Sequence, residues 1–311
     1  MKKLVKIILK YPIIWINHIY TYFYYKNNKA NKSIKVDHML EEKEKVLVLS
    51  PHVDDETIGL GATLFKHREI GSEMALVYMT DGGGSTTDSS RDQLIKSRKA
   101  EGEKVKSIYG FKSIYFLDEI DGELDGESTQ LVEKIVNILE IEKPSIIYTP
   151  FVLDGHRDHV ATTKALSRAL SIWNPDFDKI YMYEVNFPIM PKLINNISQM
   201  DEKDYIRKGE VYNIFTSQWA MGFDAYRLLD RRKKYIANSN YGGEVFVSTN
   251  LEGLLKMEKA LEEEGFRPDQ FRQLSSHYNL LFAFRSNRDL KNKYEERLEI
   301  ILENIDVKAK Q

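Results

Sequence analysis

Val46-Leu47-Val48-Leu49-Ser50-Pro51-His52-Val53-Asp54-Asp55-Glu56 is the stretch on which the fold turns. Four consecutive apolar residues read as a short strand buried on both faces, as in a parallel sheet. Polar and acidic residues follow at once, just past the strand's carboxyl end. Further along, Ile146-Ile147-Tyr148-Thr149 precedes Gly155-His156-Arg157-Asp158-His159 in the same way. Two strand ends of this kind can bring His, Asp, Asp, His and His together. Histidine nitrogens and a carboxylate oxygen suit zinc, and a catalytic zinc keeps three protein ligands and one open position. Of two adjacent aspartates, one can bind metal while the other takes a proton from water, and a further histidine can stabilise an oxyanion or protonate a leaving amine. The plainer alternative is that Asp54-Asp55-Glu56 only caps the following helix.

Working outward, strand and helix alternate. Helices are expected over Gly59–Ile70, Asp92–Tyr109, Thr129–Glu142 and Val160–Ile172, and strands over Val46–Ser50, Glu73–Thr80, Ser113–Leu117, Ser145–Thr149 and Lys179–Val185. Gly110 reads as a helix stop, and Asp81-Gly82-Gly83-Gly84 as a loop. Alternation of this kind implies an α/β, Rossmann-like, predominantly parallel sheet flanked by helices. Ligands bind such sheets outside the carboxyl ends of the strands, where both short segments and the Asp81 loop fall. A basic helix is expected over Tyr226–Ile236, and the charge-rich tail from Leu251 to Ile305 reads as helical. The division is residues 1–44 as an N-terminal segment and linker, 45–250 as the α/β domain, and 251–311 as a helical extension packed on it.

The chain has 311 residues, a formal net charge of −2 and no cysteine. That excludes thiol catalysis, thiolate ligands and disulfides, and no basic stripe marks a nucleic-acid partner. Residues 1–28 are rich in aromatics and lysines. Lys3, Lys6 and Lys10 would share one helical face, with Leu4, Ile7 and Ile8 opposite. The uncharged run Tyr11–Tyr25 is shorter than the roughly 20 apolar residues a membrane span needs. The two readings are a helix lying in a membrane interface and a helix packed on protein. The expected location is cytoplasmic, at the membrane surface on the first reading.

His52-Val53-Asp54-Asp55-Glu56 and His156-Arg157-Asp158-His159 resemble the two signature motifs of the PIG-L/LmbE-like N-acetylglucosaminyl deacetylases. The resemblance runs from about Lys45 to about Phe246. It includes Thr80-Asp81-Gly82, Arg98 to Glu101, Asp121-Gly122-Glu123-Leu124, Pro150, Ser217-Gln218 and Tyr241 to Phe246. It implies a metal-dependent hydrolase that removes the acetyl group from an N-acetylglucosamine conjugate. His52, Asp55 and His159 would be the metal ligands, Asp54 the general base, and His156 the acid or oxyanion partner. Arg98 and Asp121 would grip sugar hydroxyls, and Asp81 would support a ligand. Zn2+ is the expected ion, with Fe2+ the alternative. The family usually has Pro where this chain has Val53, which would loosen the loop.

Two other readings compete. A non-catalytic sugar-binding protein could keep the same fold. His52-Val53-Asp54 with a distant His also fits the facial triad of non-haem iron oxygenases, although βα alternation argues against their jelly-roll barrel. Tyr212, Trp219, Phe223 and Tyr226 are a candidate aromatic platform or else core. His18, His38, His67 and His277 read as structural or surface groups.

Overall fold

The apolar runs become strands and the charged stretches between them become helices. The computed structural model describes residues 2–28, 34–85 and 88–308, with side chains for 10–28, 34–85 and 88–305. In chain order the elements are α1 (Lys2–Asn27), β1 (Lys35–Val36), β2 (Lys45–Ser50), α2 (Asp55–Glu69), β3 (Glu73–Thr80), α3 (Arg91–Tyr109) and β4 (Ser113–Glu119). Next come α4 (Thr129–Glu142), β5 (Ile146–Pro150), α5 (Arg157–Trp173), β6 (Ile180–Tyr183), β7 (Asn196–Met200), α6 (Glu202–Val211), α7 (Phe223–Arg232) and α8 (Lys234–Ala237). β8 (Gly242–Thr249), α9 (Leu251–Glu263), α10 (His277–Ser286) and α11 (Arg288–Lys308) complete the chain.

Among the described residues one eight-stranded sheet runs β1-β7-β8-β6-β5-β2-β3-β4. β6, β5, β2, β3 and β4 are parallel, in register Ile147↔Ile180, Leu47↔Ile147, Leu47↔Ala75 and Ala75↔Ser113. Val46 to Leu49 are fully buried, which explains their unbroken apolar character: helices cover both faces. Each such side chain contributes roughly 1.5–3 kcal/mol of burial. The chain moves from β2 to β3 and β4 on one side, then to β5 and β6 on the other. The order therefore reverses between β2 and β5, and a crevice opens at their carboxyl ends.

The other half of the sheet departs from the sequence reading. β8 runs antiparallel to both β6 and β7, in register Tyr183↔Phe246 and Asn196↔Phe246. Residues 29–44, read as a linker, are not all free of the sheet: Lys35–Val36 pairs with β7, and Met39 is buried. The basic helix expected over Tyr226–Ile236 is two helices, α7 and α8, the second ended by Asn238 in the left-handed region. The expected face of Lys3, Lys6, Leu4, Ile7 and Ile8 lies outside the residues whose side chains are described. No described helix is long and apolar enough to cross a membrane.

α2 begins at Asp55, directly after the motif, and is kinked at Leu60 (φ −147°, ψ 22°). The kink frees amides that need partners. The buried Glu244 carboxylate on β8 accepts from Ala62 N at 2.9 Å, Thr63 N at 2.8 Å and Thr63 Oγ1 at 2.6 Å. Buried Lys208 pairs with Glu244 and Asp230, each at 2.8 Å, and donates to Ile58 O at 2.8 Å. This clamp fixes the helix whose first turn carries the acidic motif.

Candidate functional site

The turn from β2 into α2 is strained. Asp54 has φ 134° and ψ −24°, a region costly for a side-chain-bearing residue. Hydrogen bonds from Ser50 Oγ to His52 O (2.7 Å) and from Asp54 N to Glu56 Oε2 (3.1 Å) hold it there. Val53 is buried in the core beneath this turn. On the other side, His156 is the N-cap of α5, and its Nδ1 accepts from Asp158 N at 3.2 Å. His159 follows one turn into the helix. His52, Asp54, Asp55, Gly84, Asp121, His156, His159, Asn186, Gln218 and Gln273 all line one open cleft.

Asp55 Oδ2 lies 3.0 Å from His52 Nδ1 and 3.2 Å from His159 Nε2. The far nitrogen of each ring meets carboxylates. His52 Nε2 is 3.2 Å from both Asp121 Oδ1 and Asp158 Oδ2, and His159 Nδ1 is 3.4 Å from Asp154 Oδ1. These carboxylates are themselves held. Asp158 accepts from Gly122 N (2.7 Å) and Leu124 N (3.2 Å), and Asp154 from His156 N (2.8 Å) and Asn186 Nδ2 (2.8 Å). Asp121 accepts from Gly84 N at 2.9 Å, while Asp81 Oδ1 accepts from Gly83 N at 2.8 Å and Asp121 N at 3.4 Å.

Among the described residues, two overlapping groups of side chains bring ligand atoms within 4.8 Å of one another: His52, His156 and His159; and His52, Asp121, His156 and Asp158. Asp55 Oδ2, within 3.2 Å of a nitrogen on both His52 and His159, stands beside the first of these groups. Carboxylates behind the opposite ring nitrogens are the arrangement that orients metal-binding histidines. Asp158 already accepts two backbone amides, which suits support better than ligation. A cation also fits the charge, because five aspartates surround three histidines and Arg98. Burial opposes protonation of His52 and His159. The Asp121, Asp158 and Asp55 carboxylates nevertheless hold His52 well above its ordinary pKa, and Asp55 and Asp154 hold His159 at about 10. Burial would raise Asp55, but the two histidines keep it low. A divalent cation would displace those protons, so binding would release them.

Asp54 differs from its neighbour. Burial pushes its pKa up to about 8, with Arg98 opposing and Asp55 and Glu56 adding to the rise. Asp54 lines the cleft, and its buried Oδ2 has no hydrogen-bond partner among the described residues. His156 is pushed down to about 4 by burial and then by its histidine neighbours. Because its Nδ1 accepts a backbone amide, the neutral ring carries its proton on Nε2.

Arg98, read from the sequence as a sugar contact, does not line the cleft. It is 1 % exposed, with Nη2 at 3.5 Å from Asp54 Oδ1 and Nη1 at 3.5 Å from Glu101 Oε2. In the amide orientation its surroundings require, Gln218 Oε1 accepts from Arg98 Nη2 at 2.7 Å. Glu101 in turn accepts from Ser217 N at 2.8 Å and Ser217 Oγ at 2.7 Å. Arg98 therefore stands behind Asp54 and ties it to the 216–218 loop. Asp121, the other expected sugar contact, reaches the cleft but spends one oxygen on His52. Of the aromatic set, Tyr212 and Tyr226 are core and half-buried Phe223 packs against it, stacked on Tyr212 at 4.6 Å, while Trp219 is 62 % exposed beside cleft residues Gln218 and Ala220. His67 is a structural group bonded to Tyr148 OH at 2.8 Å. Sequence reasoning missed Asp154 and Asn186. Asp154 stands just before Gly155-His156, but nothing local marks Asn186, which arrives from the loop after β6.

A mostly parallel sheet with a His/Asp cluster at its reversal point defines an LmbE-like α/β fold, not the jelly roll of the oxygenase alternative. Over residues 47–170 the chain matches the family described as PIG-L, GlcNAc-PI de-N-acetylase, and its likeness to that family rests on this segment. It is 34 % identical over 130 residues to a diacetylchitobiose deacetylase of Thermococcus kodakarensis, a match covering 40 % of this chain and 48 % of that protein. The match thus spans about half the length of that relative. A probable N-acetyl-alpha-D-glucosaminyl L-malate deacetylase 2 of Bacillus anthracis is 25 % identical over 197 residues, 58 % of this chain and 84 % of that one. The structure of an N,N'-diacetylchitobiose deacetylase from Pyrococcus horikoshii superposes with a TM-score of 0.56 at 25 % identity, covering 70 % of this chain and 90 % of that one.

Proposed function

We propose that this protein is a metal-dependent de-N-acetylase acting on an N-acetylglucosamine-containing conjugate. The observation that carries the reading is the pairing of a three-atom donor set with a free, buried Asp54 Oδ2 in one cleft. The N-acetylated sugars named for the relatives support the substrate class. His52, Asp55 and His159 would hold the ion, Zn2+ in preference to Fe2+ because two imidazoles and one carboxylate with an open position are a common zinc set. Such an ion supplies Lewis-acid polarisation of the amide carbonyl and lowers the pKa of a water toward neutrality.

The protein's own groups divide the remaining work. Asp54 takes a proton from the water that adds to the acetyl carbon, and its raised pKa suits it to that task near neutral pH. His156 Nε2–H donates to the oxygen of the tetrahedral carbon. Asp54 then delivers its proton to the nitrogen as the C–N bond breaks, giving a free amine and acetate. Arg98 and Gln218 hold Asp54 in place, while Asp154 and Asn186 orient His159. The test is acetate release from a panel of N-acetylglucosamine conjugates by the chain stripped with chelator and reloaded with zinc. Release restored only on reloading supports the proposal. No release from any conjugate, with zinc bound, moves the weight to a sugar-binding protein on the same fold.

A further inference from the structure

α1 is apolar on two faces, one turned to the body and one to solvent. A helix on a water-soluble surface normally turns its apolar stripe to the core. Here Tyr20, Tyr24 and Tyr25 pack on Phe284 and the core, beside buried Asn17 and Thr21, and a second apolar face is left outside. Two polar contacts add to this packing: Asn17 Nδ2 donates to His277 O at 2.7 Å, and Arg232 Nε donates to Thr21 Oγ1 at 3.2 Å. The opposite face presents Tyr11, Trp15, Ile19 and Phe23, spaced four residues apart, with Ile16 beside them. Trp15 and Tyr11 are about seven-tenths exposed, at 70 % and 71 %. A shallow apolar groove runs between Ile14, Trp15, Ile19, Phe23 and the Arg232 side chain. A contiguous apolar surface of this kind marks an interaction site.

We propose that α1 seats the protein on an anionic lipid bilayer, with Tyr11, Trp15, Ile19 and Phe23 entering the headgroup region. Charge selects this occupant. Residues 1–36 contain eight lysines and no acidic residue, in a chain whose net charge is −2. A basic, aromatic segment on an otherwise acidic chain is complementary to an anionic surface, and Trp and Tyr favour the interface. The helix lies along α7, α8 and α10 rather than apart from them, so it rests on the membrane and does not cross it. Its anchor at His277 O begins α10, two residues after Ser275, which lines the catalytic cleft. The docked face and the cleft are therefore linked through one short stretch of chain.

The experiment is sedimentation of the full chain with phosphatidylcholine vesicles with and without phosphatidylserine, at low and high salt. A second protein carries Trp15→Ser and Phe23→Ser, both on the exposed face and removable without opening the core. The expected result is binding that requires phosphatidylserine, weakens with salt, and falls at least ~10-fold in the double variant, as loss of two buried aromatic side chains implies. An unchanged melting temperature and acetate release in the variant would place the effect on docking alone. Absence of sedimentation with phosphatidylserine vesicles overturns the proposal. So does a concentration-dependent dimer that the double variant dissolves while neither protein binds vesicles, which would assign the face to a second copy of this chain.

Discussion

Lys291 on α11 measures how firmly the C-terminal helices are built into the domain. It is 4 % exposed, donates to Pro188 O at 2.5 Å, and lies 4.3 Å from the Phe187 ring centre. Pro188 belongs to the same loop as Asn186, which supports His159. Burial drives the pKa of Lys291 down from its ordinary 10.5 to about 7, with Glu184, Glu295 and Asp154 opposing. Between those two values the folded chain binds fewer protons here than the unfolded chain. Stability therefore rises with pH across that window. At 1.36 kcal/mol per pH unit the whole interval is worth about 5 kcal/mol, and the part between pH 7 and pH 9 about 2 kcal/mol. Lys291→Met keeps a similar length without the charge. It leaves Pro188 O without this donor, a pH-independent cost of about 1 kcal/mol. Urea unfolding at pH 7, 8 and 9 should show wild type gaining about 2 kcal/mol relative to the variant over the range. Parallel pH dependences for the two proteins would refute the reasoning, because they would mean that Lys291 keeps its ordinary proton in the fold.

Two further outcomes follow from the packing and from the support of the metal set. Asp154→Asn removes the carboxylate behind His159 Nδ1 without changing side-chain size, and should lower zinc affinity about 10–100-fold in a chelator competition. Gly59→Ala should cost ~1–3 kcal/mol in thermal unfolding, since a Cβ there would sit 2.1 Å from Tyr183 Cδ2, and the Tyr183 hydroxyl is fixed on Leu49 O at 2.7 Å.

The parallel half of the sheet was legible because its signals are local. Apolar runs gave β2, β3 and β5, and Gly110, in the left-handed region with φ 77°, ends α3 where the sequence places a stop. Helix starts at the motifs were less legible. α2 opens at Asp55 and α5 at Arg157, each earlier than the periodicity suggests, because a strained Asp54 and a capping His156 replace ordinary start signals. β8 carries Gly242, Gly243 and a buried Glu244, a composition poor for a strand, and only its partners Lys208, Ala62 and Thr63 explain the charge. The ligand candidates were visible as a pattern. The place of Arg98 was not, since its burial behind Asp54 depends on Glu101 and the distant Gln218. The outward aromatic face of α1 was hidden for the same reason: periodicity shows faces but not which of them the body covers.

The measurement that tests the central claim most directly is bound zinc and acetate release, determined together for wild type, Asp54→Asn and Asp55→Ala. The account predicts that Asp54→Asn keeps its ion and loses turnover, whereas Asp55→Ala loses both, because its carboxylate bridges the two histidine donors. Undiminished turnover in Asp54→Asn, or full zinc affinity in Asp55→Ala, would contradict it.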